Sequence, residues 1–247
     1  MSFLNKIFDK NALGKKEYNI PTTTDMHSHL IPGIDDGSQS LNESIYLIKY
    51  LKKLGYKKLI TTPHIMSDFY KNTPENILSG LDKLKKELIK ENIEIEIEVA
   101  AEYYIDYIFL KKIENEDLLT FGDNYVLIET NLLNYSKLLR EAIWELSLKK
   151  YKPVFAHVER YAYFRDKFEL YYELKEMNVL YQINLASLAG FYTKAVKKIA
   201  ERLIEENLVD FIGTDAHNKE YLDATQKARF NPIMKNLADA KLLNGEL

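Results

Sequence analysis

The chain has 247 residues, a formal net charge of −3 and 46% hydrophobic residues, a length that α/β barrels use as one unit and a composition that supports one sizeable core. The small charge leaves no electrostatic footprint for nucleic-acid binding. The absence of cysteine excludes disulfides, thiolate metal ligands and a cysteine nucleophile, and a reducing, cytoplasmic setting is the natural expectation.

At the N-terminus Phe3, Leu4, Ile7 and Phe8 share one helical face, with Lys6, Lys10, Lys15 and Lys16 around them. The segment lacks the apolar stretch of about 7–15 residues and the cleavage site of a signal peptide. No apolar run in the chain reaches the roughly 18 residues of a transmembrane segment. Residues 1–23 therefore read as an N-terminal extension, either a short helix or loose tail on the domain or a weak membrane-surface helix. Residues 24–247 read as a single domain.

From there strand-like and helix-like segments alternate. A strand is expected at Thr24–Leu30, then a helix at Leu41–Leu54 whose Ile45, Leu47, Ile48, Leu51 and Leu54 form an apolar stripe. A strand at Lys58–His64 precedes a helix at Thr73–Ile89, opened by Thr73 as N-cap and Pro74 at the first helical position. A strand follows at Ile93–Tyr104, where Glu94, Glu96 and Glu98 alternate with isoleucines as on an exposed or edge stretch. Tyr125–Thr130 (strand), Leu138–Leu148 (helix), Pro153–Glu159 (strand), Lys167–Met177 (helix), Leu180–Leu188 (strand), Thr193–Glu206 (helix) and Val209–Asp215 (strand) complete the series. The strands are rich in Val, Ile, Tyr, Phe and Thr. Such alternation makes a parallel sheet, closed into a barrel or open and doubly wound.

The five histidines, His27, His29, His64, His157 and His217, all fall at or just beyond the C-terminal ends of these strands, the end that faces the active site in parallel α/β folds. Asp35 and Asp36 follow the first strand, Glu102 closes the third, Glu129 closes the fourth, and Asp215 lies two residues before His217. A carboxylate ending an apolar strand carries a desolvation cost that a metal or a paired cation offsets. In His27-Ser28-His29 and Asp215-Ala216-His217, alternate residues of an extended strand point to one side. Imidazole and carboxylate without thiolate suit Mn, Fe, Zn or Mg. So many candidates exceed the needs of one ion, and two or three clustered divalent ions fit displacement at phosphorus. No P-loop, dinucleotide-binding or serine-hydrolase glycine pattern is present.

The motifs Asp25–Ser38 (DMHSHLIPGIDDGS), Thr61–His64 (TTPH), Ala100–Tyr104 (AAEYY), Val126–Thr130 (VLIET), Ala156–Tyr161 (AHVERY) and Gly213–Asn218 (GTDAHN) resemble the polymerase and histidinol phosphatase (PHP) family. The resemblance is to its branch of bacterial metal-dependent protein-tyrosine phosphatases linked to capsule and exopolysaccharide synthesis. It implies a distorted (β/α)7 barrel and a trinuclear, often manganese-containing, site at the C-terminal ends of the strands. Carried over by motif, His27, His29 and Asp215 hold one ion with Glu102 bridging. Glu129 and His157 hold the second; Asp36, or Asp35 in its place, holds the third with His64 and His217. Arg160 contacts the substrate phosphate through its guanidinium fork, unless it is a structural ion pair with Glu159 or a neighbouring helix. An arginine often found after the DxHN motif is absent, and Lys219 stands in that loop, with Arg229 the next arginine.

The implied reaction is hydrolysis of a phosphotyrosine monoester by metal-bound hydroxide, with His64 or His217 as general acid only if not committed to metal. Phe69, Tyr70, Tyr103, Tyr104, Tyr135 and Tyr161 lie near strand ends, where Tyr104 and Tyr161 are candidates to line a slot for the phenyl ring. The implied partner is the tyrosine-rich tail of a membrane-anchored bacterial tyrosine kinase. Two rivals remain: a small-molecule phosphatase of the histidinol phosphate type, and a catalytically silent, metal-stabilised kinase-docking module.

Overall fold

The computed structural model describes residues 16–247; the apolar and basic face expected at Phe3–Lys15 lies outside them. The elements, in order, are β1 (Thr24–Asp25), α1 (Leu41–Leu54), β2 (Lys58–Thr61), β3 (His64–Ile65), α2 (Pro74–Lys90), β4 (Glu96–Val99), β5 (Glu102–Tyr104), α3 (Tyr107–Glu114) and β6 (Tyr125–Glu129). Then follow α4 (Leu139–Leu148), β7 (Lys152–Phe155), α5 (Glu169–Glu176), β8 (Leu180–Asn184), α6 (Leu185–Leu188), α7 (Lys194–Glu205), β9 (Phe211–Gly213), α8 (Lys219–Ala228) and α9 (Met234–Asp239).

Local chemistry explains the helix boundaries. The Ser40 side chain caps α1, and Gly55 ends it in the left-handed region at φ 107°, where a side chain would be strained. Thr73 and Asn76 form a reciprocal capping box on α2, with Pro74 in the first turn. Each such cap contributes about 1 kcal/mol. The stripe expected on α1 is buried from Ile45 to Leu54.

All strands pair in parallel, in the orders β1-β2-β4 and β3-β5-β6-β7-β8-β9. The two sheets are one surface. β2 and β3 belong to one expected strand interrupted at Thr62-Pro63, and β4 and β5 to another interrupted at Ala100-Ala101. Backbone bonds from Ala100 N to Thr61 O (2.9 Å) and Glu102 N to Pro63 O (3.1 Å) carry the ladder across the breaks. A parallel bridge from Ser28 to Ala216, with Asp215 N donating to His27 O at 2.8 Å, joins the last strand to the first. The result is the distorted (β/α)7 barrel anticipated from the motifs.

Pleating divides the core. Leu127, Val154, Ala156 and Phe211 cluster with Met26, Ile60 and Ala100 inside the barrel, while Val126, Ile128, Phe155 and Ile183 pack outward against the helices. This is the two-residue period of a pleated strand. Asn244 closes the end where the strands begin: its side chain accepts from Ile212 N and donates to Thr24 O and Ile212 O. Among the described residues, the opposite end, where the strands terminate, is the one left open for a site. Near the described N-terminus, Tyr18 N donates to Arg229 O (2.8 Å) and Glu17 pairs with Arg229 (2.9 Å), so residues 17–18 are tied to the domain.

Candidate metal centre

All nine expected ligands meet at the C-terminal ends of the strands. His27 and His29, on the segment after β1, bring their Nε2 atoms within 3.3 Å of each other. Each faces Glu102 Oε2 (3.2 and 3.3 Å) and Asp215 Oδ1 (3.3 and 3.4 Å). Glu102 Oε1 lies 3.0 Å from His157 Nε2, and Glu129 Oε2 lies 3.7 Å from the same nitrogen. His64 Nδ1 sits between Glu102 (3.2 Å) and Glu129 (3.1 Å), and its Nε2 faces Asp36 Oδ1 at 3.4 Å. His217 Nε2 faces the same Asp36 oxygen at 3.5 Å.

These contacts resolve into three overlapping groups whose donor atoms lie within 4.8 Å of one another: His27, His29 and Asp215; His64, Glu102 and Glu129; and His29, Asp36, His64 and His217. His27, His29 and Glu102 are fully buried. The rest line a cavity of about 180 Å³ together with Met66, Tyr70, Leu132, Arg160 and Tyr221.

Three of the five imidazoles are oriented from behind. His27 Nδ1 lies 3.0 Å from Gln182 Oε1, His29 Nδ1 2.8 Å from Asp35 Oδ2, and His217 Nδ1 2.8 Å from the Asp215 carbonyl oxygen. An acceptor at Nδ1 holds the proton there and turns the Nε2 lone pair into the cavity, as metal-ligating histidines require. The neighbouring Asp35 and Asp36 are thereby distinguished. Asp35 accepts from His29, from Gly37 N (2.9 Å) and from His64 N (3.1 Å), whereas Asp36 points its carboxylate at His64 and His217. The tight turn brings Gly37 so close that a Cβ there would lie 2.4 Å from His29 Cβ.

The backbone is bent to achieve this. Strand alternation was expected to align Asp215 and His217, but Asp215 adopts φ 52°, and His157 adopts φ 35°. Left-handed conformations of non-glycine residues cost about 1–3 kcal/mol and concentrate at functional sites.

The charged groups of the site hold one another in their ionised forms. Burial opposes the ionised form of Glu102, but His27, His64 and His157 outweigh it and hold the carboxyl well below its usual range. Burial likewise opposes ionised Asp215, and His27 and His217 pull it well below the ordinary value. Burial disfavours a charged His29, yet Asp35, Asp215 and Glu102 raise it well above the ordinary imidazole value. Packed donors of this kind, nitrogen and oxygen without sulfur, three of the imidazoles oriented through Nδ1 and the whole grouped in threes and fours, fit clustered divalent ions.

Arg160 reaches the cavity from the 3-10 turn Val158–Arg160. Its guanidinium stacks over the Tyr192 ring at 4.3 Å and lies 3.3 Å from Asp215 Oδ2. Its ion-pair partner is thus Asp215. Glu159 is fully buried and accepts instead from Asn184 N (3.0 Å) and the Ser187 hydroxyl (2.5 Å). Lys219 pairs with Asp223 along α8 and is not among the cavity's lining residues. Arg229 is engaged with Glu17 and the Tyr18 carbonyl.

The aromatic expectations need correction. Tyr161 is fully buried and stacked on Phe155 at 4.4 Å, and its hydroxyl accepts from Thr130 N. It offers substrate no surface. Tyr104 is half-buried and lines an adjoining groove rather than the cavity. The rings at the cavity are Tyr70, stacked on His64 at 5.5 Å, and Tyr221, stacked on His217 at 4.9 Å. Asn184, Gln182, Tyr192 and Tyr221 were not anticipated. Asn184 Nδ2 donates to Asp215 Oδ2 (2.7 Å) and the Tyr192 hydroxyl lies 3.3 Å from that oxygen. A sequence signal existed for two of them: Gln182 and Asn184 are in phase with inward-facing Leu180, polar residues on the core side of a strand.

The model of the capsular polysaccharide synthesis family CpsB/CapC matches residues 23–240. The chain is 35% identical over 195 residues to the tyrosine-protein phosphatase YwqE of Bacillus subtilis (strain 168), covering 78% of this chain and 77% of that protein. It is 28% identical over 229 residues to the putative tyrosine-protein phosphatase CapC of Staphylococcus aureus, covering 89% and 90%. A solved structure from the work on YwqE of B. subtilis and CpsB of Streptococcus pneumoniae, described as unique metal-dependent tyrosine phosphatases, superposes with a TM-score of 0.77 at 35% identity, covering 83% of this chain and 84% of that one. Histidinol phosphate phosphatase of Lactococcus lactis shares the fold alone, with a TM-score of 0.51 at 16% identity over 86% of this chain and 92% of that one. The motifs, the barrel and these matches agree: the chain belongs to the CpsB/CapC family of capsular polysaccharide synthesis.

Proposed function

We propose that this chain is a metal-dependent protein-tyrosine phosphatase acting in the cytoplasm on the tyrosine-rich tail of a membrane-anchored bacterial tyrosine kinase, and so regulating capsule or exopolysaccharide synthesis. The observation that carries the reading is the convergence of five imidazoles and four carboxylates on one cavity bearing Arg160, in a chain without cysteine. No helix among the described residues is long and apolar enough to cross a membrane.

His27, His29 and Asp215 would hold one ion, bridged by Glu102; Glu129 and His157 a second; Asp36, His64 and His217 a third. Manganese is the first assignment, and the donor set also suits iron, zinc or magnesium. Clustered ions in such a site supply a water nucleophile at neutral pH and neutralise phosphoryl oxygens. Arg160, steered by the Tyr192 ring and Asp215, presents N–H donors to the phosphate. Tyr70 and Tyr221 flank the entrance and offer ring faces to the substrate phenyl group. His64 and His217 both face Asp36, which supports a ligand role for them over a general-acid role. A tyrosinate leaving group, with a conjugate-acid pKa of about 10, needs little acid assistance.

The test is phosphate release by chelator-stripped protein before and after Mn²⁺ is restored, with a phosphotyrosyl peptide and histidinol phosphate in parallel. Metal-dependent turnover of the peptide is expected. Preference for histidinol phosphate would reassign the substrate, and full metal loading without turnover of either would leave a silent docking module.

A further inference from the structure

A groove of about 380 Å³ lies between the loop that follows β3 and the first turn of α3, and Met66 lines both it and the metal cavity. Its floor is apolar: Ile65, Tyr103 and Phe109 are buried beneath it. Ile108 stands 47% exposed at its edge, and the same two segments carry Phe69 and Tyr107, 77% and 72% exposed. Contiguous exposed apolar surface beside a site is a common mark of a docking place for another chain.

The polar groups of the groove are largely committed. Asp106 accepts from Phe109 N (2.8 Å) and Ser67 N (3.2 Å). Lys112 pairs with Asp117 at 3.1 Å. The Asn72 amide donates to the carbonyl oxygens of Ile34 and His64. The exposed ammonium of Lys71 is different: among the described residues no carboxylate lies within ion-pairing distance of it. The groove therefore presents an apolar trough with the Lys71 ammonium on its rim, while the Asp106 carboxylate is turned onto backbone amides.

We infer that this groove seats the polypeptide flanking the phosphotyrosine, selecting an apolar side chain for the trough and a carboxylate for Lys71. The inference rests on the phosphotyrosine reading above and names the substrate class of that site. A phosphotyrosine whose ring enters the metal cavity must lead its chain out over the rim, and Met66 makes the groove continuous with that exit. An extended segment gains contact area there at no cost to the catalytic geometry, and charge complementarity fixes its register.

The experiment compares kcat/KM of the metal-loaded full chain on two phosphotyrosyl peptides and on para-nitrophenyl phosphate, which fills the cavity alone. One peptide carries Leu and Glu beside the phosphotyrosine; the other carries Gly and Lys there. We expect the acidic, apolar peptide to be preferred by about tenfold. Lys71→Glu should reverse the preference, Ile108→Asp should weaken it, and neither should change turnover of the aryl phosphate. Equal kcat/KM on the two peptides, or a parallel loss on peptide and aryl phosphate, overturns the groove and leaves the phosphatase reading intact. Absence of all turnover defeats the phosphatase reading instead. Binding of the non-hydrolysable phosphonate forms of the two peptides then still decides the groove by the same preference.

Discussion

Replacing Asp35 by Asn separates the residue that orients the site from the residue that faces it. Asp35 Oδ2 is 2.8 Å from His29 Nδ1 and 3.1 Å from His64 N, and Oδ1 is 2.9 Å from Gly37 N. Asparagine has one acceptor oxygen for these three donors. If that oxygen replaces Oδ2, the amide NH2 opposes the Gly37 N–H; the reverse placement sets it against His29 Nδ1 and favours the wrong tautomer. The milder alternative loses one hydrogen bond to a charged acceptor, about 2 kcal/mol, which lowers Tm by about 4–8 °C for a chain of this size. Loss of the carboxylate behind a metal-ligating histidine lowers metal affinity about 10–100-fold. Asp36→Asn should behave differently. That side chain is 55% exposed, so the chelated protein should melt near the wild-type temperature while one ion's binding is lost. Circular dichroism melts of chelated protein and calorimetric Mn²⁺ titrations read both effects. An Asp35→Asn protein with wild-type Tm and wild-type metal affinity would refute the assignment.

Removing the cation proposed to bind the phosphate, through Arg160→Ala, should lower kcat/KM on an aryl phosphate by about 10²–10³-fold with bound metal unchanged; unaltered kinetics would remove Arg160 from the phosphate. Tyr192→Leu deletes the ring 4.3 Å from the guanidinium, a contact contributing about 0.5–2 kcal/mol. It should therefore reduce kcat/KM more than Tyr192→Phe does, and equal losses would show that the hydroxyl alone matters. Gly80→Ala places a Cβ 2.3 Å from Ile31 Cγ2 on the inner face of α2. Overpacking of about 1–3 kcal/mol, offset by about 1 kcal/mol of helix propensity, should lower Tm while metal binding survives. Chelation of the wild type should lower its own Tm, by about 2.7 kcal/mol of stability if free metal stood at a hundred times its Kd; identical melts with and without metal would argue against a resident cluster.

Much of the fold is legible in the sequence because its signals are local. The apolar stripe of α1, the Thr73–Pro74 start of α2 and the β-rich runs at Tyr125–Glu129 and Leu180–Asn184 declare their elements through side-chain period and capping chemistry. The interruptions within two expected strands, at Thr62-Pro63 and Ala100-Ala101, are less visible. Thr and Ala do not forbid extended backbone, and Pro63 alone hints at a break. It is the shape of the barrel that bends the strands there.

The candidate ligands were readable for a chemical reason. Imidazoles and carboxylates at the ends of apolar strands are costly unless something binds them, and their rarity makes each one conspicuous. What lies behind them was not readable. Gln182 meets His27 across 155 positions of sequence, and Asn184 meets Asp215 across 31. Amides and tyrosines occur too commonly in strands and loops to announce such partners. Tyr161 shows the converse: its place near a strand end suggested substrate contact, and packing against Phe155 buried it. The sequence by itself determined which residues could bind metal and at which end of the barrel. Only the tertiary structure decided which atoms face the cavity, because a side chain's direction is set by backbone turns such as φ 52° at Asp215 and by neighbours distant along the chain, neither of which a local pattern encodes.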